Sequence, residues 1–296
     1  MINLQSLLAV IPSNRSHSPP HQELRRFVMS AIDLGKWLHC EVHLLAHPAE
    51  ADAVRALSAE SKLTKRDVRT LSVIQPTEET LSSRISRAIE EYSCGLLVCQ
   101  DGSAWSAADT TESSQIIESS LIPVLLLPGG FDFHHRPPES LLVPLSGDKR
   151  TNEALGVAMA LATRVGSFVD FLHVTEKAVR HMHERGLEAL GDQQHHEYRQ
   201  LMDKVVSEAN PCATQKEQSH LRHFYNRVGF TTSEILRVLR KSENSVLVLE
   251  WKGSLALGHA QTIKELLLNV RCPTLLVRGT EEHKSVLRVG EHIRSA

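Results

Sequence analysis

The sequence repeats itself at long range. LLAVIPS (7–13) resembles LLVPLSG (141–147), and AIDLGKWLHCEVHLLAH (31–47) lies over AMALATRVGSFVDFLHV (158–174). GLLVCQDG (95–102) lies over VLVLEWKG (246–253), and IPVLLLPG (122–129) lies over CPTLLVRG (272–279). The four matches keep the same order, with a period near 150 residues. Two copies of one module account for this, and so long a period excludes a short-repeat solenoid. A chain of 296 residues is comfortable for two domains of that size.

Each copy alternates strand and helix. In the first, LQSLLAVI reads as a buried strand, and Leu24, Phe27, Val28, Ala31, Leu34 and Leu38 recur at helical spacing from Gln22 to Leu38. EVHLLAH is a strand, and a helix is expected from Pro48 to Leu63. DVRTLSVIQ is a third strand, and Thr77-Glu78-Glu79-Thr80 opens another helix running to about Tyr92. LLVCQ, a helix near Ser113–Ser119 and PVLLLP complete the copy.

The second copy runs LLVPL, a helix from Thr151 to Val165, FVDFLHV, a helical stretch and HLRHFYNRV. A helix from Thr232 to Lys241, SVLVL, a helix near Thr262–Asn269 and TLLVR follow. Its one large difference is a polar, helix-prone insertion near 178–216, expected as an exposed hairpin. Domains are expected over 1–130 and 138–285, each closing its own core. Strands that are apolar throughout and separated by helices specify a parallel sheet covered on both faces, the α/β doubly wound class. Its ligands bind beyond the carboxyl ends of the strands, where strand order reverses.

Bulk properties exclude several functions. The formal net charge is −2, with basic residues dispersed among acids and only three Trp and three Tyr, so nucleic acid is not an expected partner. No apolar run reaches the roughly 20 residues of a membrane span. MINLQSLLAVIPSNRS lacks a basic leader and a cleavage site. Five scattered cysteines without CxxC spacing read as reduced thiols, and the expected location is cytoplasmic.

The string LLVPLSGDKRTNEALGVAMALATRVGSFVDFLHV resembles the opening of a universal stress protein domain, and VLVLEWKGSLALGHAQTIKELLLNVRCPTLLVR resembles its close. With the fainter first copy, the chain resembles a tandem universal stress protein. The resemblance implies two five-stranded parallel sheets in order 3-2-1-4-5, associating through their last strands. The residues agree: PVLLLP and TLLVR carry little charge, and as exposed edges they would invite association. Fusion makes that pairing intramolecular. A homodimer and unnamed protein partners remain compatible with the sequence.

Relatives that bind ATP imply a site as well. They carry an Asp after strand one. After strand four they carry Gly, two residues, Gly, nine residues, then Gly-Ser or Gly-Thr. Here Ser146 stands where the Asp would be, Glu250 takes the first glycine position, and Gly253 matches the second. Ala260-Gln261 fall where Gly-Ser would, across a loop shorter by three residues. In the first copy Pro12 replaces the Asp, Cys99 the first glycine, Gly102 survives, and Thr110-Thr111 take the Gly-Ser place. Weak or absent ATP binding is therefore expected, and if either copy holds ATP or another adenine nucleotide it is the second. The residues that would hold it are Ser146, Gly147, Val174, Gly253, Ser254 and Gly258. Glu250 would repel a triphosphate, and Gly147 and Gly253 also suit tight turns without any ligand.

No catalytic residue is assigned. GxSxG, Walker A and GxGxxG strings are absent, and Ser103 has no local base. His196-Glu197 fails the HExxH pattern, and His181 and His183 do not share a helix face, so no metal is assigned. The expected function is a stress response exerted by binding. The alternatives are a slow ATP or adenylate hydrolase in the second copy's pocket and a ligand-free interaction scaffold.

Overall fold

A computed structural model describes residues 4–11, 21–47, 50–61, 71–74, 80–100, 112–145, 152–175, 219–242, 245–255 and 260–279. The insertion near 178–216 lies outside them.

The first half runs β1 (Ser6–Ile11), α1 (His21–Leu38), β2 (Glu41–Ala46), α2 (Ala51–Ser61), β3 (Leu71–Ile74), α3 (Leu81–Glu91), β4 (Cys94–Gln100), α4 (Glu112–Ser119) and β5 (Val124–Leu127). The second runs β6 (Ser140–Leu145), α5 (Asn152–Val165), β7 (Phe168–Thr175), β8 (Leu221–Val228), α6 (Thr231–Leu239), β9 (Ser245–Trp251), α7 (Gln261–Asn269) and β10 (Thr274–Arg278). Two expected starts move: α2 runs from Ala51, not from Pro48, and α3 is displaced as well. Helix α3 begins after Thr80, not at Thr77, because the Thr80 hydroxyl accepts the Ser83 N–H at 3.3 Å and caps the helix there.

All ten strands form one sheet in the order β3-β2-β1-β4-β5-β10-β9-β6-β7-β8. Each half has the order 3-2-1-4-5, with parallel pairing throughout. The halves meet along β5 and β10, which pair antiparallel with Thr274, Leu275 and Leu276 opposite Leu126, Leu125 and Val124. The last strands therefore cover each other, as the sequence leads one to expect.

The hydrophobic core differs from the expectation of one core per half. Alternation along a strand sends Leu7, Ala9 and Ile11 to one face and Leu8 and Val10 to the other. The first layer lies under α1, α2 and α5 and includes Leu44, Val98, Leu125, Val143, Phe171, Val248 and Leu275. The second lies under α3, α4, α6 and α7 and includes Ile85, Ile117, Leu126, Leu172, Ile235, Leu266 and Leu276. Each layer crosses both halves, because the sheet is continuous through the β5–β10 pair. Helix α1 packs against α5 across the junction, and the Arg164 Nη1 donates to the carbonyls of Leu4 (2.8 Å) and Leu38 (3.2 Å).

The segment joining the halves is docked as well. Phe133 is buried and packs edge-on against both Trp37 and Phe131. His135 Nδ1 lies 2.7 Å from the Asp33 carboxylate on α1.

Register fixes how the copies correspond. Leu97 N–H donates to Pro123 O and Leu247 N–H to Pro273 O, both at 2.9 Å and 150 residues apart. Gln100 stands opposite Leu127, and Glu250 opposite Val277, at the same spacing. The residue matching Glu250 is therefore Gln100. Reading Cys99 into that place was one position off; Cys99 is a buried core thiol.

Candidate functional site

In the second half the strand order reverses between β6 and β9, and their following helices lie on opposite faces of the sheet. A crevice beyond the carboxyl ends of such strands is where ligands of this architecture bind. Val174 is half-buried near the end of β7, opposite Arg227 of β8. The Arg227 Nε is buried and has no hydrogen-bond partner.

Gly253 and Ser254 follow β9 directly and are half-buried. Ser146, Gly147 and Gly258 lie outside the described residues. So do Pro12, Gly102, Thr110 and Thr111 of the first copy.

Gly253 has φ +81°, and a Cβ there would lie 2.4 Å from the Arg278 Nε. The left-handed backbone conformation favours glycine at this place, whether or not a ligand binds. Ala260, which falls where the first residue of Gly-Ser would, has φ +51° and caps α7 in the left-handed conformation. The backbone form a glycine favours thus persists at a residue carrying a Cβ.

Glu250 decides the electrostatics. Its Oε2 accepts the Ala154 N–H at 3.4 Å, and its Oε1 would lie 2.7 Å from a Cβ at Gly279. Ala154 is in the first turn of α5, where main-chain N–H groups lack helical partners and the helix dipole favours an anion. The protein's own carboxylate fills that seat. In the first half the matching pair is Gln100 and Gly129, with the Gln100 Nε2 3.9 Å from a Cβ placed at Gly129. The amide there carries no charge.

A second correspondence joins His43 and Asp170. Leu8 and Leu142 are matching residues, and they stand opposite His43 and Asp170. Both are 2% exposed. His43 stacks on Tyr92 with ring centroids 4.1 Å apart, and its Nε2 lies 3.7 Å from the Glu41 carboxylate. Burial pushes the imidazole below its usual value, against the opposing pull of Glu41 and Glu91. Asp170 receives Arg222 through Nη2 at 2.8 Å and Nε at 3.2 Å, and His223 Nδ1 lies 3.2 Å away. Burial acts to raise its carboxyl, but the Arg222 hydrogen bonds and charge outweigh it and hold the group below its usual value. His43 and Asp170 lie on the inner strands β2 and β7, while Arg222 and His223 lie on the border strand β8.

Among the described residues no group of three or more His, Cys, Asp or Glu is placed to hold a metal ion. No helix among them is long and apolar enough to cross a membrane.

Residues 138–278 match the model of the universal stress protein family. Solved structures with a similar fold across both halves include the following two. One is a universal stress protein from Archaeoglobus fulgidus, 14% identical with a TM-score of 0.56, the match covering 93% of this chain and 98% of that one. The other is a functionally unknown protein from Pseudomonas aeruginosa, 14% identical with a TM-score of 0.55, covering 93% of each chain. Comparison with curated proteins returns no match.

Sequence reasoning singled out Glu250 but missed Arg227, which stands opposite Val174, and Arg278 and Glu118, which touch the loop after β9. Glu118 belongs to α4 of the first half, yet its Oε1 accepts the Leu255 N–H at 2.5 Å. Copy-to-copy comparison shows that charge is present at 118 and 278 and absent at their counterparts. It does not show that the two residues meet.

Proposed function

We propose that this chain is a two-domain universal stress protein that acts in a stress response by binding rather than by turnover. Its second-half crevice takes a small ligand and disfavours a triphosphate. The carrying observation is the Glu250 carboxylate on the Ala154 N–H. A phosphate approaching the α5 N-terminus would meet a fixed negative charge instead of open donors. One unit charge about 5 Å away, at an effective dielectric near 20, is worth roughly 3 kcal/mol. The opposite rim carries the Arg227 cation beside Val174, which suits an acceptor group on the ligand. Val174, Gly253 and Ser254 line the space between, and Ser146, Gly147 and Gly258 complete the proposed contacts.

Calorimetric titration of ATP, ADP and AMP, with and without Mg²⁺, tests this reading. The expected result is weak or absent ATP binding in the natural protein and a gain of roughly tenfold or more in Glu250→Gln, which installs the first half's neutral amide. Sub-micromolar ATP affinity in the natural protein would overturn it.

A further inference from the structure

The loop that follows β9 belongs to the second half, but the first half holds it. Glu118 makes two contacts there. Its carboxylate accepts the Leu255 N–H at 2.5 Å, and its main-chain carbonyl accepts Arg278 Nη1 at 3.4 Å. Arg278 ends β10, and its guanidinium lies against Gly253, where a Cβ would come within 2.6 Å of Nε, Cζ and Nη2. The Gly279 N–H donates to Trp251 O at 2.9 Å and ties the end of β10 to the end of β9. Glu118, Arg278, Gly253 and Leu255 thus form one chain of contacts across the junction. Leu255 is buried at its far end.

The residues that make these contacts have no chemical equivalent at the matching positions. Buried Ile116 and Ile117 of α4 match Leu266 and Leu267 of α7, and Ser120 N–H to Ile116 O matches Val270 N–H to Leu266 O. This spacing makes Leu268 the counterpart of Glu118 and Pro128 the counterpart of Arg278. Leu268 is 57% exposed and offers no acceptor on its side chain. Pro128 has neither a side-chain donor nor an N–H. Leu268 therefore lacks the carboxylate, and Pro128 the guanidinium, that make these contacts.

We propose that Glu118 is a positioning residue for the second half's ligand loop, so that the first half sets the shape of the second half's crevice without a reciprocal arrangement. An amide held by a carboxylate is a charge-assisted bond, stronger than its neutral equivalent. It holds the Leu255 N–H, and Arg278 packs into the space left by the absent side chain of Gly253. Two copies of one fold have thereby taken unequal parts, with one half serving as the frame for the other's loop. Naming this a ligand loop rests on the function proposed above; the contacts themselves do not.

Amide hydrogen exchange on the full chain tests the clamp with no ligand present. In Glu118→Ala the Leu255 amide should exchange about tenfold faster or more, while amides in the middle of β9 and β10 keep their protection. Glu118→Gln keeps an acceptor at the same place and should return Leu255 to within about threefold of the natural rate. Unchanged Leu255 exchange in Glu118→Ala would overturn the proposal. So would equal acceleration along β9 and β10, or a Glu118→Gln variant as fast as Glu118→Ala. Because no nucleotide is involved, a failed ATP titration and a failed clamp give separate results.

Discussion

Leu125 lies directly opposite Leu275, the residue 150 positions later, at the centre of the antiparallel β5–β10 pair. A residue paired with its own counterpart marks a local twofold axis. Val124 facing Leu276 and Leu126 facing Thr274 follow from the same axis. The two leucines are 4% and 1% exposed and belong to the layer that runs through both halves. The seam between the halves is therefore packed as core.

Leu275→Ala should accordingly cost about 2–5 kcal/mol, the range for truncating a buried leucine. Leu125→Ala should cost a similar amount, and the double variant should fall short of the sum because the residues share one contact. Denaturant unfolding measures all three. A cost below about 1 kcal/mol for both single variants would mean that the seam contributes little.

The pH profile should carry two separate acid-side losses. His43 is held below its ordinary value of 6.5, so the unfolded chain takes up a proton before the folded one. Its contribution is complete above about pH 6.5 and declines as pH falls toward the depressed folded value. Asp170 is held below its ordinary value of 3.8, so its contribution is complete above that value and is lost only as pH falls further. In His43→Leu the loss beginning near pH 6.5 should disappear while the more acidic one remains. Asp170→Asn should do the reverse, at the added cost of leaving Arg222 without its buried partner. Stability measured from pH 3 to 8 in the three proteins separates the limbs, and identical profiles would refute the assignment.

Ala260→Gly should leave the protein as stable as before or raise its stability by up to about 1 kcal/mol. Relief of the left-handed strain at φ +51° opposes the greater freedom of glycine in the unfolded chain. Ala260→Val should lower stability, because a β-branched residue tolerates that conformation worst. Thermal unfolding reads both. A clear loss in Ala260→Gly would show that the turn is not left-handed in solution.

The fold was legible because its signals are local and repeated. Apolar runs such as SLLAVI and SVLVLEW show strands covered on both faces, and amphipathic stretches show the helices between them. The pairing of β5 with β10 was legible from the little charge in their sequences together with the family resemblance. Registration was harder. Matching GLLVCQDG to VLVLEWKG by similarity slid one strand by a residue, because runs of Leu and Val look alike at neighbouring offsets. Only the pairing of Leu97 with Val124 and of Leu247 with Thr274 identified Gln100 as the partner of Glu250.

At the site, Glu250 was legible as a misplaced charge, but not the N–H that receives it. Glu118 and Arg278 escaped notice because they are 160 residues apart and meet only through the twofold arrangement. The continuity of the core was equally hidden, since periodicity shows which face of an element is buried but not what buries it.

Joining both inner rims to each other leaves the ten strands with two outer borders, β3 and β8. Border β8 carries Arg222, His223 and Arg227 within eight residues, and its pairing with β7 shifts between Val169 and Phe171. A charged, irregular border is a poor template for another strand. At that end the molecule is built as a finished object, resistant to stacking into fibres, even though its interior seam is the kind of surface from which fibres grow.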